Sequence, residues 1–353
     1  MKYIETESCK PAINLAYEEY FLKGKNLEEN ILMLWRNEPV IVVGRFQNTL
    51  EEINSSFAEA HNIQVIRRIS GGGAVYHDLG NLCFSFILRD VRPEIIDKSK
   101  YISPLVDALR QLGVQVEITR RNDLTVAGKK ISGNAMALHK NRLLFHGTLL
   151  FDADLEILEE SLKEMMGKIT SKGVKSVRSI VTNLREYLST EMDTLQFKQS
   201  LKQLLFSVTP TTQYVPDQED FNSIQKLVKT KYETWEWNFG NNPNSMIQRF
   251  FPLPNGAIEI QLELEKGFIK DCQIKGDINM LIKPGELEKQ LRGVHYTLRD
   301  IQRALSNCIT GNVTMRSNGA SGKMLLSDRR KSQSEEQYDE PEKQARIVRS
   351  RAT

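Results

Sequence analysis

The chain has 353 residues, of which 40% are hydrophobic and 26% charged, with a formal net charge of +3. These are ordinary values for a folded chain with room for about two domains. A charge this small gives no electrostatic argument for nucleic acid or a membrane as a partner. Four cysteines, Cys9, Cys83, Cys272 and Cys308, lie far apart with no Cys-x-x-Cys pair, so they offer neither a zinc site nor a disulfide framework. No apolar run approaches transmembrane length, and Met1-Lys2-Tyr3-Ile4-Glu5 resembles neither a signal nor a transit peptide. The expectation is a cytoplasmic monomer that binds no nucleic acid and no membrane.

Ile13, Ala16, Tyr17, Tyr20 and Phe21 recur at helical spacing, with Asn14, Glu18, Glu19 and Lys23 opposite. This predicts an amphipathic helix over residues 11–24, ended near Gly24. The apolar runs Ile31–Trp35 and Val40–Val43, split by Asn37-Glu38-Pro39, predict a strand pair. A polar loop over residues 44–48 leads to a helix from about Leu50 to His61, then to a β-rich run over Ile63–Ile69. That run enters Arg67-Arg68-Ile69-Ser70-Gly71-Gly72-Gly73-Ala74-Val75-Tyr76-His77-Asp78. Three consecutive glycines let a backbone turn tightly and approach a ligand closely. Such a turn can aim several N–H groups at one point, making an anion nest. Arg67 and Arg68 are expected to bring positive charge to its mouth, where guanidinium suits phosphate oxygens. A glycine-rich hairpin with a bulge is the competing reading. The run is not a P-loop, because no Gly-Lys-Ser/Thr follows, and not a dinucleotide fingerprint, because Asn81–Ile87 reads as strand.

Residues 94–112 read as helix, with Pro104 expected to break it in two. A strand-rich block runs from Val114 to Phe151. It holds Arg121-Asn122-Asp123-Leu124, Lys130-Ile131-Ser132-Gly133-Asn134-Ala135 and His146-Gly147-Thr148-Leu149. Asp154 caps a helix whose Leu155, Leu158 and Leu162 share a face. Lys172–Arg178 is basic and aperiodic, and is expected to be a mobile loop. Helices near 183–188, 195–206 and 218–233 complete the first domain, with a boundary at Asn241-Asn242-Pro243. Beyond it, Ile258, Ile260, Leu262 and Leu264 alternate with polar residues in a strand that pairs with Phe268–Ile274 across Lys266-Gly267. Helices over 284–292 and 297–306 complete a small α+β module. The division is therefore 1–242, 243–314 and a charged tail over 315–353 expected to be disordered.

These loops suggest one cleft lined by Arg68, the glycine loop, Asp123, Lys130 and His146, holding a phosphate-bearing ligand. Lys130 is a compact cation that can follow charge developing between a carboxylate and an α-phosphate; the alternative is a plain strand-edge lysine. Asp123 either holds Mg²⁺ through oxygen or makes an Asx turn. His77 and His146 read as structural hydrogen-bonders, and the spacing shows no Ser-His-Asp arrangement.

Together, Arg67–Asn81, Arg121–Leu124, Lys130–Ala135 and His146–Leu149 resemble the bacterial A-type lipoate–protein ligases. Lys175-Ser176-Val177-Arg178-Ser179, Val181-Thr182-Asn183 and Trp235-Glu236-Trp237-Asn238-Phe239-Gly240 match as well, and the resemblance runs to about residue 314. It implies an α+β fold related to biotin ligases: a mixed β-sheet flanked by helices, with a small C-terminal α+β domain. It implies two reactions. Lipoate and Mg-ATP give lipoyl-adenylate and pyrophosphate. The lipoyl group then passes to a lysine of an acceptor domain, in the E2 subunit of a 2-oxoacid dehydrogenase or in the glycine cleavage H protein. By resemblance, Arg68, Gly73, Ala74, Val75, Tyr76, Asp123, Lys130 and Thr148 bind ATP or the adenylate, with Mg²⁺ on Asp123. Lys130, Ser70, Gly72, His77, His146 and Trp35 bind lipoate, Lys130 is the catalytic residue, and residues 170–182 form a mobile adenylate-binding loop.

The competing readings are a cysteine-dependent octanoyl or lipoyl transferase, a transferase using only preformed lipoyl-adenylate, a biotin ligase and a non-catalytic lipoate binder. The first needs a thiol near residues 121–123, where none stands. The third needs a Gly-Arg-Gly-Arg loop that the chain lacks. Lys130 and Asp123 weigh against the fourth.

Overall fold

The computed structural model describes residues 1–25, 28–92, 94, 96–120, 123–163, 168–253, 256–276, 284–306, 313–317 and 324–328. The first elements are β1 (Lys2–Glu5), α1 (Pro11–Glu19), which runs into a π turn over Tyr20–Gly24, β2 (Ile31–Trp35) and β3 (Val40–Val43). Next come α2 (Thr49–Glu52), α3 (Ser55–Ala60), β4 (Gln64–Arg67), β5 (Val75–His77) and β6 (Asn81–Leu88). Then follow α4 (Lys98–Gln111), β7 (Glu117–Ile118), β8 (Leu124–Val126), β9 (Lys129–Ser132), β10 (Asn134–His139) and β11 (Arg142–Leu150). After α5 (Leu155–Ser161) and β12 (Lys168–Ser171), a 3₁₀ turn at Leu184–Tyr187 precedes α6 (Thr194–Val208), β13 (Thr212–Gln213) and α7 (Gln218–Leu227). The small module has β14 (Ser245–Leu253), β15 (Gly256–Glu265), β16 (Phe268–Lys275), α8 (Pro284–Leu291) and α9 (Leu298–Ser306), followed by β17 (Val313–Ser317) and β18 (Met324–Asp328).

A mixed six-stranded sheet in the order β10-β11-β6-β2-β1-β13 forms the centre. β1 is parallel to β2 and β13, while β6 is antiparallel to both β2 and β11. Its central strands β2, β6 and β11 are buried on both faces because both are covered. Leu32, Leu34, Leu82, Phe84 and Phe145 pack towards α4 and α6. Met33, Trp35, Cys83 and Leu144 pack towards α1 and α7. A three-stranded sheet, β4-β3-β5, and a meander, β7-β8-β9, flank this centre and carry the glycine loop and Lys130. Among the described residues no helix is long and apolar enough to cross a membrane.

Several expectations need correction. β2 and β3 are both strands but do not pair; they lie in different sheets. The polar side of α1 does not face water, since Asn14, Glu18 and Glu19 are buried with hydrogen-bonding partners from distant segments. The helix expected over 50–61 is two short ones, α2 and α3, the second begun by Asn54, whose side chain accepts from Phe57 N. α4 runs on through Pro104 without a break. The boundary at residue 242 is crossed by β12, which pairs antiparallel with β14 and so joins the small module's sheet. The tail expected from 315 includes a hairpin, β17 with β18, because the apolar run Met324-Leu325-Leu326 supplies a second strand. Residues 329–353 lie outside the described residues.

Candidate active site

β4 delivers Arg67 and Arg68 to the base of the glycine loop, and Gly72 turns the chain there at φ +88°, a conformation that favours glycine. Both arginines are buried, not at the mouth as expected. Arg67 gives its guanidinium to the carbonyls of Gly44, Arg45, Gln47, Trp237 and Asn238, to Thr49 Oγ1 and to Asn242 Oδ1. It thereby ties the loop after β3 to the segment before the small module. Arg68 donates to the carbonyls of Val42, Gly71 and Gly73 and to Ser70 Oγ. Burial pushes both guanidinium groups down to about 10, so both remain cations at neutral pH.

The position of Arg68 gives it a different task from the one the sequence suggested. A trans peptide plane points its C=O and its N–H in opposite directions. By pulling the Gly71 and Gly73 carbonyls inward, Arg68 turns the N–H groups of Gly72 and Ala74 away from itself. A buried cation behind the loop thus orients the donors in front of it.

Beneath the loop lies a buried polar layer. Ser70 Oγ is 2.6 Å from His146 Nε2, and His146 Nδ1 is 2.7 Å from Glu18 Oε1. This sets hydroxyl, imidazole and carboxylate in series, which sequence spacing did not reveal, since Glu18 hid on a helix face assigned to solvent. Ser85 Oγ donates to the same Glu18 oxygen at 2.6 Å, and Trp35 Nε1 donates to Ser85 Oγ at 2.8 Å. His77 Nδ1 sits 3.1 Å from Asn37 Nδ2 and 3.6 Å from Cys83 Sγ. Burial, with the charges of Arg68 and His146 adding to it, pushes His77 down to about 3, so it is neutral. Burial pushes the Cys83 thiol well up, away from thiolate. Among the described residues, Glu18 Oε2 and His77 Nε2 find no hydrogen-bonding partner.

In front of the loop is a separate cleft of about 950 Å³, within the range of small-molecule sites. Ala74, Val75 and Tyr76 line one wall, Lys130, Ser132, Gly133 and Thr148 another, and the α5 residues Leu155 and Leu158 a third. Lys130 Nζ is 3.0 Å from Asp123 Oδ1, and both side chains are about three-quarters buried. The one cleft foreseen from sequence is therefore two layers. Lys130 and residues 74–76 face the cleft, with Asp123 on Lys130, whereas Arg68, Ser70, His77, His146 and Trp35 belong to the layer behind. Arg121 and Asn122, part of the expected turn, lie outside the described residues. Among the described residues no three His, Cys, Asp or Glu side chains gather as a ready-made metal site.

A strap over residues 171–182 closes the cleft; its residues read as a basic loop, and the resemblance implies an adenylate-binding loop over 170–182. Its far end lies along β9, with Lys130 N donating to Ile180 O at 2.8 Å and Thr182 N to Lys130 O at 3.0 Å. Its middle is tied by Ser176, which meets Glu52, Gln47 and the Ala74 amide. Glu52 could not be picked out from sequence, since an isolated glutamate carries no pattern, and Ser176 stands within a matched stretch without a role of its own.

Two family models match the chain. One, described as the lipoyl protein ligase A/B catalytic domain, covers residues 10–206, and the other, the bacterial lipoate protein ligase C-terminus, covers residues 242–317. Lipoate–protein ligase 1 of Staphylococcus aureus is 42% identical over 307 residues, 87% of this chain and 94% of that protein. Among solved structures, lipoate-protein ligase A bound with ATP is 25% identical and covers 68% of this chain and 98% of that one, with a TM-score of 0.57. The P. falciparum protein LipL1 in complex with lipoate is also 25% identical, covers 86% of this chain and 94% of that one, and has a TM-score of 0.57.

Proposed function

The chain belongs to the lipoate–protein ligase A family, with its catalytic and C-terminal accessory domains, and from that premise we propose a two-step, ATP-dependent mechanism. In the first step the carboxylate of lipoate attacks the α-phosphorus of ATP; a C–O–P linkage forms, pyrophosphate leaves, and lipoyl-adenylate results. In the second, the ε-amine of an acceptor lysine attacks the acyl carbon, and AMP leaves as the amide forms. The acceptors are lipoyl domains of 2-oxoacid dehydrogenase E2 subunits or the glycine cleavage H protein. The enzyme acts as a monomer in the cytoplasm.

The observation that carries this reading is the shared cleft of Lys130 and Ala74-Val75-Tyr76. Two anions, carboxylate and phosphate, must meet there and more negative charge must be held in the transition state. Outward-turned amides of the glycine loop hold phosphate oxygens, and the Lys130 ammonium spans carboxylate and α-phosphate. Thr148 and Gly73 complete the nucleotide contacts. The lipoyl chain runs beneath the glycine loop towards Ser70, Gly72, His146, His77 and Trp35. A magnesium ion beside nucleotide phosphates takes one or two carboxylates and keeps several waters. Asp123, whose carboxylate reaches the cleft through its pair with Lys130 at 3.0 Å, would be its protein ligand, and the ion would neutralise charge on the phosphates.

A thiol-dependent transfer finds no support, since Cys83 is buried with its thiol held neutral. The test is lipoate-dependent ATP–pyrophosphate exchange. Exchange that needs both lipoate and enzyme is expected; its absence, with transfer from supplied lipoyl-adenylate retained, would replace this reading with the transferase that skips activation.

A further inference from the structure

Ser176 bonds through its hydroxyl and its amide to groups far from it in sequence. Its hydroxyl donates to the Glu52 carboxylate and accepts from Ala74 N at 2.9 Å and from Gln47 Nε2 at 3.1 Å. Its own amide donates to Glu52 Oε2 at 3.1 Å. Along the same strap, Ser171 Oγ donates to Glu51 and Val174 N donates to Phe46 O at 3.1 Å. The approach to the glycine loop is close enough to constrain it: a Cβ on Gly73 would lie 2.8 Å from Ser176 Oγ and 3.2 Å from its Cα. The strap is therefore fastened to the glycine loop itself, at an amide that Arg68 turns towards the cleft.

We propose that Ser176 is a built-in occupant of the nucleotide site: its hydroxyl oxygen fills the place on the Ala74 N–H for which a phosphate oxygen competes. This rests on the nucleotide reading above and goes beyond it, because it assigns to the strap a ligand-like contact that lowers nucleotide affinity. The geometry favours competition over cooperation. One N–H makes one good hydrogen bond, and Ser176 Oγ already lies at full bonding distance from it. Glu52 belongs to α2 and holds both the hydroxyl and the amide of Ser176, so it keeps the strap serine seated on the Ala74 amide. Nucleotide entry must therefore displace Ser176 from Ala74, and the strap's closed position and phosphate on this donor exclude each other.

The experiment compares wild type with Ser176→Ala, using thermal melting to confirm folding. Calorimetric titration with ADP alone, and with inorganic pyrophosphate alone, reads affinity without turnover. Removing one neutral hydrogen-bonding competitor should tighten ADP binding about two- to tenfold, the range of one net hydrogen bond. Trypsin, applied without nucleotide, should cut at Lys172, Lys175 and Arg178 faster in the variant, because the strap has lost a tie. A purely structural serine would not produce tighter binding on removal. Unchanged cleavage, or an unchanged or weaker ADP affinity in the variant while wild type binds ADP, overturns this inference alone. Failure of wild type to bind either probe removes the nucleotide reading and this inference with it.

Discussion

Lys130 is fixed by its backbone as much as by its side chain. Its N–H and C=O are both bonded to the strap, while its ammonium pairs with Asp123 at 3.0 Å. Replacing it should leave the strand intact and remove only the charge. Lys130→Ala should then lower the rate of adenylate formation roughly 10²- to 10³-fold, the scale for one preorganised electrostatic donor, with little change in melting temperature. Lys130→Arg should rescue poorly, because a planar fork cannot sit at one point between two oxygens. Single-turnover kinetics of each half-reaction check this, and a fully active Lys130→Ala would shift suspicion to the exposed neighbour Lys129. Cys83 makes the opposite case. Held neutral and buried among Trp35, His77 and Asn81, it should be dispensable, so Cys83→Ala keeps ligase turnover and no acyl thioester can be trapped on wild type. Lys130, Asp123 and the glycines were legible because they stand in stretches that together resemble one family; a lone strand-edge lysine carries no such mark. Glu18 and the task of Ser176 were not legible, since what defines each is a partner far along the chain.

At the scale of elements, α1 and α7 are joined by polar groups withdrawn from water. Glu19 accepts from Lys23, Lys231 and the Tyr232 hydroxyl, and Asp220 accepts from Lys25 and from the hydroxyls of Tyr20 and Tyr214. Burial opposes the Asp220 charge, but Lys25 and the two tyrosines outweigh it and hold the carboxyl down at about 2. A folded pKa below the unfolded one gives stability that is fully present above about pH 4 and is lost as pH falls towards 2. A shift of this size corresponds to about 2 kcal/mol. Asp220→Asn should therefore lower the urea midpoint clearly at pH 7 and progressively less on approaching pH 3. An equal loss at both pH values would count against the charge as the cause. Periodicity located α1, α6 and α7 within a few residues, because burial of one stripe is a local signal. It misassigned the polar side of α1 because Ser85, His146 and Lys231 reach that side only through the folded chain. Strand pairing failed for the same reason. Ile31–Trp35 and Val40–Val43 are near neighbours in sequence, but their partners are Asn81–Leu88 and Gln64–Arg67.

Across the whole molecule, the segment from Trp235 to Asn242 is the joint between catalytic part and small module. Trp235 stacks on His295 at 4.1 Å and meets Phe268 edge-on at 5.6 Å, while Asn242 accepts from Arg67 and from Thr49 N. Shielding a reactive acyl-adenylate and then admitting an acceptor domain make conflicting demands on one cleft. We therefore expect the small module to take different positions for the two steps, with the Trp235–His295 stack parting between them. Structures of the protein alone, with adenylate and with acceptor check this; the same small-module position in all three would rule the motion out. In sequence, the boundary at residue 242 rests on the turn residues Asn241-Asn242-Pro243 alone. The crossing of that boundary by Lys168–Ser171 was not legible, because a four-residue strand carries no mark of the sheet it will join. That crossing has a practical consequence. A chain cut after residue 242 would give one piece carrying β12 without its ladder and another carrying β14 with an open edge. Exposed edges of that kind pair readily with a matching strand. Two separately produced pieces should find each other by strand complementation, and recovered ligation would then report that β12 and β14 have rejoined.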